Sequence, residues 1–119
     1  MTRVIMVGIN PSRGPFRKGC SQYKMNIWMK YFGFHFYSFS NVIPIVGEYK
    51  VKNVDIEFVQ NFTHGYDKVI ALGGFVSTVL KKAGVDHFTM PHPSPLNRNL
   101  NSREYEEDRL KECKEWLEI

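Results

Sequence analysis

The chain has 119 residues, 43% of them apolar and 24% charged, with a formal net charge of +4. That length carries one domain with its own core, so neither a disulfide-stapled miniature nor a disordered tail fits the composition. No apolar run approaches the roughly 20 residues a membrane span requires, so a soluble, membrane-free protein is expected.

The charge is unevenly spread. Residues 1–102 carry 12 Lys+Arg against 5 Asp+Glu, whereas residues 103–119 carry 4 against 7. A basic body with an acidic last segment suits a polyanion on one face. The two cysteines, Cys20 and Cys113, have no metal-ligand spacing and read as reduced thiols. The chain enters Arg3-Val4-Ile5 without a leader-like stretch, so an intracellular, cytoplasmic protein is expected.

In chain order, residues 3–7 form a short apolar run that stops at Gly8 and reads as a buried strand. Residues 8–19 hold three glycines, two prolines and the cations Arg13, Arg17 and Lys18, a loop composition. Ser21 can cap a helix with Tyr23, Ile27, Trp28 and Tyr31 on its apolar face and Gly33 at its end. Residues 34–42 are aromatic-rich with alternating serines, which predicts a strand. Asn53 can cap a helix running to about Phe62.

Residues 68–72 predict a strand, followed by Gly73-Gly74 and a helix over 75–83 that Gly84 closes. Residues 86–90 form a further short strand. Asn101 or Ser102 then caps a last helix over 103–117, with Leu110, Cys113 and Leu117 on its buried stripe.

Four strands alternating with four helices predict a single domain over residues 1–119: an α/β fold, three-layer α/β/α with a four-stranded parallel sheet. In such sheets ligands bind beyond the carboxyl ends of the strands. The polar residues of interest fall there: Asn10, Asn41 and His92 each follow a different strand. Pro91, Pro93 and Pro95 stiffen the loop that displays His92 and Ser94. Taken singly, Asn10 reads as well as a turn-former, Asn41 as a strand-end turn and His92 as a surface loop residue. Phosphate-loop, metal-ligand and serine-nucleophile patterns all fail on residue identity, so no metal or cofactor is expected.

Three ordered motifs then resemble the uracil-DNA glycosylase superfamily. They are Gly8-Ile9-Asn10-Pro11-Ser12, Asn41-Val42-Ile43-Pro44 and His92-Pro93-Ser94-Pro95-Leu96, with Val69-Ile70-Ala71-Leu72-Gly73-Gly74 between the last two. The first resembles the mismatch-specific and single-strand-selective branches, and the last the single-strand-selective and classical ones. The chain would be an unusually short member.

The resemblance implies hydrolysis of the N-glycosidic bond of uracil, or a 5-substituted uracil, in DNA by base flipping, which leaves an abasic site. Asn10 would position the attacking water and His92 would donate to the departing base. Asn41 would read the base edge, within a substrate site that includes Gly8, Ile9, Pro11, Ser12, Phe16 and Ser94. Leu96 would wedge the stack, with Arg13, Arg17, Lys18, Pro93, Pro95, Asn97 and Arg98 along the DNA. Phe16 is the first candidate to stack on the base and Tyr23 the second. The expected partner is uracil-containing DNA, single- or double-stranded, bound by a monomer. Ser12 stands where those branches carry glycine, which motivates a second reading as a non-catalytic nucleic-acid- or partner-binding module. A third is a hydrolase of free pyrimidine nucleotides.

Overall fold

A computed structural model describes residues 3–9, 21–34, 37–43, 54–93 and 102–118. Within them lie four strands and four helices in strict alternation: β1 (Val4–Gly8), α1 (Ser21–Phe32), β2 (Ser38–Asn41), α2 (Ile56–Thr63), β3 (Lys68–Leu72), α3 (Gly74–Lys82), β4 (Phe88–Met90) and α4 (Arg103–Leu117). All strand pairs are parallel, in the order β2-β1-β3-β4. β1 and β3 are buried along almost their whole length, as central parallel strands must be when both faces are covered.

Two separate cores explain the layering. On one face Met6, Ile70, Leu72 and Met90 pack with Met25, Trp28, Met29 and Phe32 of α1 and Leu110, Cys113 and Leu117 of α4. On the other, Ile5, Val7, Val69 and Ala71 pack with Val59 of α2 and Val76, Val79 and Leu80 of α3. The helices therefore fall in pairs on opposite faces, compatible with a three-layer α/β/α arrangement. The chain moves outward from β1 to β2 on one side, then returns past β1 to β3 and β4. The reversal lies between β1 and β3, where a parallel sheet opens a crevice at its carboxyl edge.

Several boundaries shift from the sequence expectation, each for a local reason. The buried face of α1 is Met25, Trp28, Met29 and Phe32, while Ile27 and Tyr31 are 44% and 43% exposed. Both sets share Trp28, buried as expected, and both satisfy the helical spacing; the set that adds Met25, Met29 and Phe32 buries more apolar area. The Trp28 indole is fully buried, and its Nε1 donates to Glu106 Oε1 at 3.0 Å, so the polar edge has an acceptor. Lys24 Nζ reaches the same carboxylate oxygen at 3.0 Å and ties α1 to α4.

β2 begins at Ser38 and not at residue 34. The Phe34 amide donates to Met29 O at 2.8 Å, so Phe34 finishes the helix end. α2 is capped by Asp55, whose Oδ1 accepts from the Phe58 amide at 3.1 Å. Asn53, the expected cap, lies outside the described residues. β4 starts at Phe88, because His87 Nδ1 is engaged with Val85 O at 2.8 Å in a local turn. The last helix has the expected bounds, with Ser102 accepting from the Tyr105 amide at 3.2 Å. Among the described residues no helix is long and apolar enough to cross a membrane.

Candidate active site

The carboxyl edge of the sheet is assembled from the segments after each strand. Past the formal end of pairing, the Val42 amide donates to Gly8 O at 3.0 Å and the Ile43 amide to Ile9 O at 2.9 Å. These bonds hold the residues after β1 and β2 together and fix Asn41 opposite Gly8. Val42 and Ile43 are fully buried, so the turn after Asn41 is anchored by packing as well.

Asn41 points over Gly8. A β-carbon built on Gly8 would meet Asn41 Oδ1 at 2.9 Å and the Phe39 ring at 3.1 Å. Gly8 is thus required here for close approach: its missing side chain is the space that the carboxamide fills. Among the described residues, Asn41 Oδ1 is the one buried side-chain polar atom without a hydrogen-bond partner. A buried acceptor left unmade costs about 1–3 kcal/mol, so its retention calls for a ligand donor or another specific reason.

His92 is positioned differently. Gly73 takes a φ of +96°, a region that favours glycine, and its amide donates to Met90 O at 2.9 Å. The resulting turn brings His92 onto the bare Gly73 backbone, with its Cβ 3.4 Å from where a side chain on Gly73 would begin. Pro91 and Pro93, on either side of it, are buried. The imidazole is half-buried, and that burial pushes its pKa below the usual 6.5. His92 is therefore the neutral form at pH 7, able to donate from one ring nitrogen.

A cleft of about 480 Å³ opens beside it, with Gly73, Thr89 and His92 on one side and Tyr105 and Arg109 of α4 on the other. Arg109 is held by the Thr89 carbonyl, by Glu112 Oε2 at 2.7 Å, and over the Phe88 ring at 4.6 Å. Asn41 is not a wall of this cleft. It stands at the other edge of the sheet, three strand spacings or roughly 14 Å away at backbone level. Asn41 and the cleft nevertheless share a sheet face and a sheet end. Gly8 follows Met6 by two residues on the α1/α4 side, and Tyr105 and Arg109 belong to α4.

Of the expected site residues, the described structure brings Gly8, Ile9, Asn41, His92 and Pro93 to the carboxyl end of the sheet, with Asn41 and His92 at the ends of opposite outer strands and only His92 lining the cleft. Asn10, Pro11, Ser12, Arg13, Phe16, Arg17, Lys18, Ser94, Pro95, Leu96, Asn97 and Arg98 lie outside the described residues. Two further groups are not singled out by the sequence. Tyr105 and Arg109 stand one helical turn apart, and that spacing was the available signal. Phe39 precedes Asn41 by two residues, which puts both on one side of β2.

Ser77 also gains a histidine partner: its Oγ lies 2.8 Å from His87 Nε2, and Thr89 donates to it at 3.0 Å. Ser77 is 7% exposed, so this chain of hydroxyls ties α3 to β4 and does not present a nucleophile. Among the described residues, no three His, Cys, Asp or Glu side chains gather as a metal would need.

Taken together, these features are those of an α/β protein with polar side chains at the carboxyl end of a parallel sheet and a cleft beside one of them. No family model, curated protein or solved structure matches the chain.

Proposed function

We propose that this protein is a uracil-DNA glycosylase-like hydrolase, cleaving the N-glycosidic bond of uracil or a 5-substituted uracil in DNA. The observation that carries the reading is the buried, unsatisfied Asn41 Oδ1 above the bare backbone of Gly8. A pyrimidine imide offers what that carboxamide lacks. The ring N–H donates to Oδ1, and the neighbouring carbonyl accepts from the amide NH₂. Cytosine presents an unprotonated ring nitrogen at that place and would leave Oδ1 unsatisfied. A site built to hydrogen-bond one donor rejects an analogue without it far better than an apolar pocket rejects a methyl group.

The chemistry would draw on groups from the two outer strands, Asn41 at the end of β2 and His92 after β4. As the C1′–N1 bond breaks, its electron pair leaves with the base and charge builds on the pyrimidine O2. His92, neutral and fixed on Gly73, donates to that oxygen, and a donor aimed before the charge develops is where such sites gain most. Water held by Asn10 adds to C1′, and its proton ends on the released base or in solvent. Gly8, Ile9, Pro11, Ser12 and Ser94 line the nucleotide. Leu96 enters the stack vacated by the flipped base, while Arg13, Arg17, Lys18, Pro93, Pro95, Asn97 and Arg98 follow the phosphates. The protein acts as a monomer inside the cell.

The test is direct. A uracil-containing single-stranded oligonucleotide, incubated with the protein and then with alkali, is cut at the uracil. Asn41→Ala and His92→Ala bind the oligonucleotide but lose most of the cutting. An intact oligonucleotide at enzyme excess, across uracil and its 5-substituted forms, refutes the proposal.

A further inference from the structure

Asn41 Oδ1 is closed to solvent, yet recognition of a base by this oxygen requires a donor to reach it. Something beside it must therefore move. Among the described residues, Val42 and Ile43, the next on β2's continuation, are fully buried and cannot give way cheaply. Phe39 is different: it is 45% exposed, lies on the same side of β2, and leans its ring edge over Gly8 next to the carboxamide oxygen. A side chain half in water gives up few contacts when it rotates.

We infer that Phe39 is the aromatic wall of the base subsite, covering the Asn41 oxygen in the free protein and packing on the pyrimidine ring that satisfies it. This rests on the glycosylase-like reading and deepens it, because it names a positioning residue and the ligand class it admits. That class is a planar ring with an N–H beside a carbonyl. The ring face of Phe39 tolerates any planar base, so discrimination comes from Asn41 while Phe39 supplies contact and excludes water.

Free uracil and 3-methyluracil, which lacks the ring N–H, serve as probes in saturation-transfer NMR with the wild type, Phe39→Ala, Phe39→Leu and Phe39→Trp. Base release from the uracil oligonucleotide is measured in parallel. The wild type binds uracil and not 3-methyluracil. Phe39→Ala and Phe39→Leu weaken uracil binding and raise KM about tenfold, while Phe39→Trp stays within about threefold of the wild type. All four melt at similar temperatures, and if Phe39→Ala does not fold, Phe39→Leu decides. Unchanged binding and KM in Phe39→Leu and Phe39→Ala, with an active wild type, overturn the role of Phe39 alone. A wild type that neither binds uracil nor releases it overturns both this role and the reading beneath it.

Discussion

The Asn41 side-chain oxygen crowds the place where a side chain on Gly8 would begin, 2.9 Å from the point that a β-carbon there would take. Parallel pairing of Gly8 with Asn41 creates the contact, so the strand register itself sets the carboxamide's position. Gly8→Ala is therefore an informative change. The new methyl group forces Asn41 and the Phe39 ring aside at a stability cost of about 1–3 kcal/mol, as for overpacked sites generally. Base release falls by about a hundredfold, because a reacting group displaced by an ångström loses that much. Kinetics and thermal melting on one preparation separate the two effects.

His92 gives a pH dependence with a definite sign. Burial lowers its pKa in the folded chain, while the unfolded chain keeps a value near the usual 6.5. Between those values the unfolded state binds more protons, so stability falls as pH drops from above 6.5 through the lowered pKa. Urea unfolding across that range should show a shallower decline in His92→Gln than in the wild type. Equal slopes would mean that His92 is not held in the neutral form.

Cys113 is fully buried, and burial pushes its thiol up to about 12, with the Arg109 charge opposing only in part. At pH 8 it is a thiol and not a nucleophilic thiolate. In a Cys20→Ser background the native protein should therefore resist a disulfide reagent and react with one equivalent once denatured. Rapid reaction of the native form would contradict the packing of α4 on the sheet.

Glu106 belongs to a helix with many acidic residues, yet it is the acceptor for both the Trp28 indole and Lys24. Glu106→Ala leaves the buried indole N–H unpaired and should destabilise the fold by about 1–3 kcal/mol. The exposed Glu104, changed in the same way, should move the denaturation midpoint far less.

The order of elements was legible because glycines and apolar periods punctuate the chain: Gly33, Gly73 and Gly84 all take positive φ where the sequence ends or begins a helix. The inward face of α1 was legible only at Trp28, because Tyr23, Ile27 and Tyr31 compete with Met25, Met29 and Phe32 for the positions around it. Only docking against α4 decides between them. The edge residues Asn41 and His92 could be located from their strands, since parallel alternation sends every strand end to one side. What one sequence cannot encode locally is register. That Gly8 stands opposite Asn41, and that Phe39 shares its face, follows only once β1 and β2 are paired. The same is true of Tyr105 and Arg109, which reach the His92 cleft from the far end of the chain.

N-glycosidic hydrolysis is tested most plainly by release of free base, followed by mass spectrometry, from a uracil oligonucleotide and from deoxyuridine monophosphate side by side. A uracil-DNA glycosylase yields free uracil and an abasic site from the oligonucleotide, little from the monomer, and loses that release in Asn41→Ala and His92→Ala. Absence of free base from every uracil or 5-substituted uracil substrate, or release that survives both substitutions, would contradict the assignment.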